Sequence, residues 1–137
     1  MYPPHLVAPM SKDLTDFGFE GLKTPEDVIQ TLDNSEGTLL LVVNSVCGCA
    51  AANARPAAKM AMQHAKKPAK AVTVFAGVDA AATEKAREYL LPYPPSSPSI
   101  ALFKDGQLVH FIERHHIEGR SADMIAQNLK MAFDAYC

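Results

Sequence analysis

The chain has 137 residues, of which 48% are apolar and 20% charged, and its formal net charge is -2. That length suits one domain with a substantial core and is short for two, and the near-neutral charge excludes the basic footprint of a nucleic-acid binder. No window approaches the ~18 apolar residues of a membrane span, and MYPPHLVAPMSKDL lacks the basic start and apolar run of a secretory signal, so a cytoplasmic protein is expected.

In chain order, the first ~15 residues read as an N-terminal arm or helix, and Phe19 to Leu22 as a short strand. Thr24-Pro25-Glu26-Asp27 is a helix start: an N-cap, a proline at the first helical position and acids in the first turn. That helix should run to about Leu32 with Val28, Ile29 and Leu32 inward, and Asp33-Asn34-Ser35-Glu36-Gly37 breaks it. Thr38 to Val43 is a continuous apolar, β-prone run, as a strand buried on both faces requires. An alanine-rich helix follows Cys49 to about His64, its small side chains fitted to close packing on a sheet. Pro56 must kink it or sit in its first turn.

Val72 to Val78 is a second buried strand. Asp79 can cap a helix over Ala81 to Leu91, stopped by Pro92 and followed by a proline-serine loop to Ser97. Ile100 to Phe103 and Leu108 to Ile112 flank Lys104-Asp105-Gly106-Gln107, a hairpin signal. Ser121 caps a last helix whose positions Ile125, Leu129, Ala132, Phe133 and Tyr136 share one face. Alternating helices and strands predict an α/β fold over 1–137 as a single domain: a mainly parallel sheet, made mixed by the hairpin, with helices on both faces.

The chemistry concentrates in VVNSVCGCAAANARP, where two thiols sit at a strand-to-helix junction with one glycine between them. In a reducing compartment such a pair points to catalysis, redox sensing or metal binding rather than to a structural staple. A thiol at a helix N-terminus faces free backbone N–H groups and the positive end of the dipole, which favour the thiolate. Cys47 occupies that place and is the candidate nucleophile; Cys49, about a third of a helical turn into the next element, is the candidate resolving thiol. Gly48 is expected to permit a tight turn. A bond across so short a loop competes with disulfide geometry and constrains the unfolded chain little. It should therefore be relatively oxidising, suited to isomerisation or to accepting a small thiol. Alternatively, both cysteines are buried apolar residues, or the pair holds copper(I) or zinc with a histidine, as in a metal-handling or redox-sensing binding protein.

NSVCGCAAANARPA, PSSPSIALFKDGQ and HFIERHHIEGR, in this order, resemble the bacilliredoxin family over nearly the whole chain. The resemblance implies a thioredoxin-like fold and a Cys-Gly-Cys thiol–disulfide oxidoreductase that removes bacillithiol from mixed disulfides on proteins, with disulfide isomerase activity. It implies no metal and no tightly bound cofactor; bacillithiol, a low-molecular-weight thiol, is transferred as a co-substrate. Implied partners are bacillithiolated or disulfide-bonded proteins, not nucleic acid or membrane, and self-association stays open.

It also implies that the Ser97-Pro98 bond is cis and that Pro98 faces the cysteines, offering backbone groups to a bound thiol or peptide and excluding metal. Without the resemblance a trans bond in a proline-rich loop is the default. Arg55 is either a guanidinium for the carboxylates of the small thiol or a solvated helix arginine. Asn53 is a candidate binder or a plain surface amide. His115 and His116 lie one strand outward from Cys47; on a regular strand they point to opposite faces, so at most one, taken as His115, contacts substrate or moves a proton. His5, His64 and His110 signal only surface or packing roles. Cys137, the third cysteine, is expected to lie far from the pair.

Overall fold

The computed structural model describes residues 2–33 and 35–137; Asn34, in the predicted helix break, lies outside the described residues. The elements run α1 (Pro4–Thr15), β1 (Glu20–Gly21), α2 (Pro25–Leu32), β2 (Thr38–Asn44), a π-helical turn (Ala50–Ala54), α3 (Arg55–Ala61), β3 (Lys70–Phe75), α4 (Ala80–Glu88), β4 (Ser99–Lys104), β5 (Gln107–Ile112), a 3-10 turn (Arg114–His116) and α5 (Ala122–Tyr136). One mixed sheet has the order β1-β3-β2-β4-β5. β2 pairs parallel with β3 and antiparallel with β4, and β4 pairs antiparallel with β5.

β2 is central, and its alternating side chains divide the core. Leu40 and Val42 point to one face, where they meet Leu14 of α1, Ala57, Ala58 and Ala61 of α3, and Leu129 and Phe133 of α5. Leu39, Leu41 and Val43 point to the other, against Val28 and Leu32 of α2 and Ala82 and Ala86 of α4. Helices thus cover both faces, and a strand buried on both sides reads in sequence as an unbroken apolar run.

Local chemistry sets the boundaries. The Thr24 hydroxyl accepts from the Asp27 N–H at 3.1 Å and the Asp27 carboxylate from the Lys23 N–H at 3.2 Å, which starts α2. Asp105 and Gly106 both have positive φ, at 49° and 79°, the signature of a type I′ hairpin. Ser121 caps α5 by accepting from the Met124 N–H.

Several expectations are corrected. Ile29 and Tyr136 are exposed. Ile29 follows Val28 by one residue and is turned about 100° from the face that Val28 and Leu32 share. Tyr136 lies in the last turn of α5, past the residues that meet the core. β3 ends at Phe75 because the chain turns at Gly77, whose φ is 84°. α4 ends at Glu88, and its cap residue Asp79 makes no side-chain bond. The helix after the cysteines is not uniform. Its first part is π-helical, with the Arg55 N–H donating to Ala50 O, and α3 begins where Pro56 falls in its first turn. Pro56 has no N–H and its ring crowds the carbonyl four residues back, so the wider π turn accommodates it.

Candidate active site

β2 delivers the cysteines. Its last residue, Asn44, is followed by Ser45 and Val46, and the helix begins beyond Cys47, whose carbonyl accepts from Ala50 N–H at 2.9 Å and Ala51 N–H at 3.3 Å. The turn is held from behind. Ser45 Oγ accepts from the Cys47 N–H at 3.1 Å, and Asn44 Oδ1 from the Ser45 N–H at 2.9 Å. The buried Arg55 guanidinium donates to Asn44 Oδ1 at 2.9 Å, to Ser45 O at 3.1 Å and to Asp13 Oδ2 of α1 at 3.1 Å. Lys59 also binds Asp13, at 2.6 Å. Burial pushes the Asp13 carboxyl up, but Lys59 and Arg55 outweigh it and hold it below its ordinary range.

Cys47 and Cys49 are free, half-buried thiols with their sulfurs 2.7 Å apart. They are electrostatically unlike. A hydrogen bond from the Cys49 thiol and another from the Cys49 backbone N–H lower the Cys47 pKa below the ordinary thiol value; burial opposes them, and the Arg114 charge and the Ala50 N–H add smaller lowering effects. Burial pushes Cys49 up, and the neighbouring Cys47 sulfur raises it further. Both directions make Cys47 the more acidic thiol of the pair.

Arg114 was not singled out by sequence, yet it reaches the sulfur. Its Nη2 lies 3.3 Å from Cys47 Sγ, its Nη1 donates to Ser97 O at 3.2 Å, and its Nε pairs with Glu118. One side chain thus joins the dithiol to the Pro98 loop. The Ser97–Pro98 bond is cis, as the resemblance implied, and so is Leu91–Pro92. Pro98 is buried, and Ser97 lines a cleft of about 470 Å3 together with Cys47 and Arg114.

Other predicted site residues have different roles from those expected. Gly48 is not among the positive-φ glycines, and a Cβ there would meet nothing within 4 Å, so the turn does not demand glycine; its missing side chain leaves open space. Asn53 donates to Arg120 O, tying the π turn to the start of α5. Arg55 is not a solvated helix arginine, and its guanidinium is taken up by Asp13, Asn44 and Ser45.

The strand geometry assumed for His115 and His116 fails because the chain leaves β5 at Ile112 and enters the 3-10 turn. There the two imidazoles lie side by side, tilted at 49° with centroids 4.0 Å apart. Neither is hydrogen-bonded to the thiols among the described residues. With Glu113 they form a group whose ligand atoms lie within 4.8 Å of one another, and neither cysteine belongs to it. The signal for Arg114 was present in the same ERHHIEGR segment, but a guanidinium offers no ligand or proton-transfer chemistry to draw attention beside two histidines.

The sequence profile of the disulphide isomerase family matches residues 2–137. A bacilliredoxin of Cytophaga hutchinsonii is 61% identical over 134 residues, covering 98% of this chain and 98% of that protein. The chain belongs to the bacilliredoxin family. A second bacilliredoxin, from Salinibacter ruber, is 57% identical and covers 99% of this chain and 81% of its own length. Mitochondrial thioredoxin 3 of Saccharomyces cerevisiae, in oxidised form, superposes with a TM-score of 0.60 at 18% identity, over 90% of this chain and 98% of that one, which establishes the thioredoxin-like fold. Family and dithiol turn together make the protein a thiol–disulfide oxidoreductase. Among the described residues no helix is long and apolar enough to cross a membrane.

Proposed function

We propose that this oxidoreductase removes a low-molecular-weight thiol of the bacillithiol type from mixed disulfides on proteins. The observation that carries the reading is the placement of the pair at the end of β2: Cys47 Sγ lies 2.7 Å from Cys49 Sγ and 3.3 Å from Arg114 Nη2, on a cleft that Ser97 also lines, with Cys47 lowered and Cys49 raised. The Cys47 thiolate attacks the small-thiol sulfur of the mixed disulfide; the bond to the protein sulfur breaks, and the protein thiolate leaves and takes a proton. Cys47 then carries the small thiol. Either Cys49 attacks Cys47, releasing the small thiol and leaving a Cys47–Cys49 disulfide, or a second free small thiol releases it as its symmetrical disulfide. The small thiol is a co-substrate, and no tightly bound cofactor enters the cycle. Disulfide isomerisation on protein substrates uses the same first attack.

Mass spectrometry of the protein incubated with a bacillithiolated model protein tests this. Cys49→Ser should accumulate the small thiol on the Cys47 peptide, and Cys47→Ser should transfer none. Accumulation on Cys49 in the Cys47→Ser variant at the wild-type rate would reverse the roles. No transfer to either cysteine of the wild-type protein would overturn the function.

A further inference from the structure

The cleft beside Cys47 has an unusual lining. Arg87, from the end of α4, and Arg114 both face it, with the Ser45 and Ser97 residues and the Tyr2 ring, and no carboxylate residue lines it. The two guanidinium groups differ in their commitments. Arg114 is already bound by Glu118, by Ser97 O and by the Cys47 sulfur. Arg87 makes no side-chain hydrogen bond or ion pair among the described residues, and its Nε is shut off from solvent without a partner. The guanidinium that Arg87 brings to the cleft is therefore uncommitted, and an arginine fork is matched in geometry to a carboxylate. Tyr2 also lines the cleft, and its ring would lie 3.1 Å from a Cβ at Gly77, where φ is 84°. At about 470 Å3 the space matches a small molecule.

We propose that this cleft is a carboxylate-binding subsite in which Arg87 receives the anionic part of a small carboxylated thiol while Cys47 attacks that thiol's sulfur. It deepens the dethiolation reading, on which the identity of the ligand rests. It also moves the carboxylate-binding role from Arg55, which is engaged behind the turn, to Arg87 in front of it.

The test compares alkylation of Cys47 by iodoacetate, which carries a carboxylate, with alkylation by neutral iodoacetamide, read on the Cys47 peptide. Cys137, exposed on the same chain, is the internal reference. The iodoacetate-to-iodoacetamide rate ratio should be higher at Cys47 than at Cys137. It should fall by roughly threefold to tenfold in Arg87→Met, the scale of one charge-assisted contact in a solvent-open site, and be largely kept in Arg87→Lys. Succinate should slow the iodoacetamide reaction of wild-type Cys47. If Arg87→Met fails to fold, the wild-type ratio and succinate protection carry the test.

Equal ratios at Cys47 and Cys137, or a ratio untouched by Arg87→Met, would overturn the subsite. Protection by a glutamate-rich peptide but not by succinate would overturn its assignment to a small thiol. A flat ratio with dethiolation intact overturns the subsite alone; an intact ratio with no dethiolation overturns the function alone.

Discussion

Arg55 and Arg114 approach the Cys47–Cys49 turn from opposite sides. Behind it, Arg55 is 5% exposed and donates three hydrogen bonds, to Asp13, Asn44 and Ser45, so α1, the end of β2 and α3 are joined through one guanidinium. In front of it, the exposed Arg114 reaches a sulfur, a loop carbonyl and Glu118. The same group does different work in the two settings. Shut away from water, a guanidinium is a structural crosslink whose partners cannot be resolvated if it is lost. In solvent it contributes little to folding but biases the protonation of a neighbour.

The sharpest way to break this comparison is Arg55→Ala. It leaves Ser45 O and one face of Asn44 unpaired in a buried site, with a cost of about 2–4 kcal/mol in unfolding free energy. Arg55→Lys should recover only part, because one ammonium cannot span the three acceptors that the planar fork holds. Urea denaturation with unchanged m-value reads both. A loss below about 1 kcal/mol for Arg55→Ala would show that the network behind the turn is not a crosslink.

Arg114→Met should move the other observable. Its melting temperature should stay near wild type, while the pH at which Cys47 is half-alkylated rises. The sign follows from charge: Arg114 favours the thiolate, so its removal leaves less thiolate at pH 6–7 and slower alkylation there, by less than roughly tenfold for an exposed group. The two proteins should converge at alkaline pH, where Cys47 is ionised in both, and 0.5 M salt should narrow the gap at pH 6–7. An unchanged pH profile would remove Arg114 from thiolate stabilisation, leaving the Cys49 hydrogen bond and the backbone N–H groups as the causes.

What the sequence disclosed follows the same division between local and distant causes. β2, the hairpin and the caps at Thr24 and Ser121 were legible because neighbouring residues determine them: an apolar run, a Lys-Asp-Gly turn, a hydroxyl three residues before an N–H. Cys47 and Cys49 were legible because their chemistry is rare and their place at the junction is local. The partners of Arg55 and Arg114 were not. Asp13 lies 42 residues before Arg55, and Cys47 lies 67 before Arg114, so topology alone makes them partners. The π turn was hidden for a subtler reason: Pro56 announces a disturbance of the helix, but kinking, starting or widening it are decided by what packs around it.

The smallest effect is expected at the third thiol, and the helices say why. α3 leads away from the dithiol turn. Asn53, just before it, donates to Arg120 O, just before α5; His64, just after it, bonds Asp134 in the last turn of α5 at 2.9 Å. The two helices therefore run side by side in the same direction. α5 spans 15 residues, a length of about 22 Å. Cys137 follows its end, exposed and at the opposite pole from Cys47. That separation is several times the roughly 4.4–6.8 Å that a disulfide tolerates between Cα atoms, so Cys137 cannot resolve an intermediate on Cys47 within one chain. Cys137→Ser should leave turnover of a mixed-disulfide substrate within about twofold of wild type, as for an ordinary surface substitution. The assay belongs at a concentration where the protein is monomeric, since a thiol at this pole is free to pair between two molecules. A large loss under those conditions would mean that α5 returns toward the dithiol instead of leading away from it, and the shared direction of α3 and α5 would be wrong.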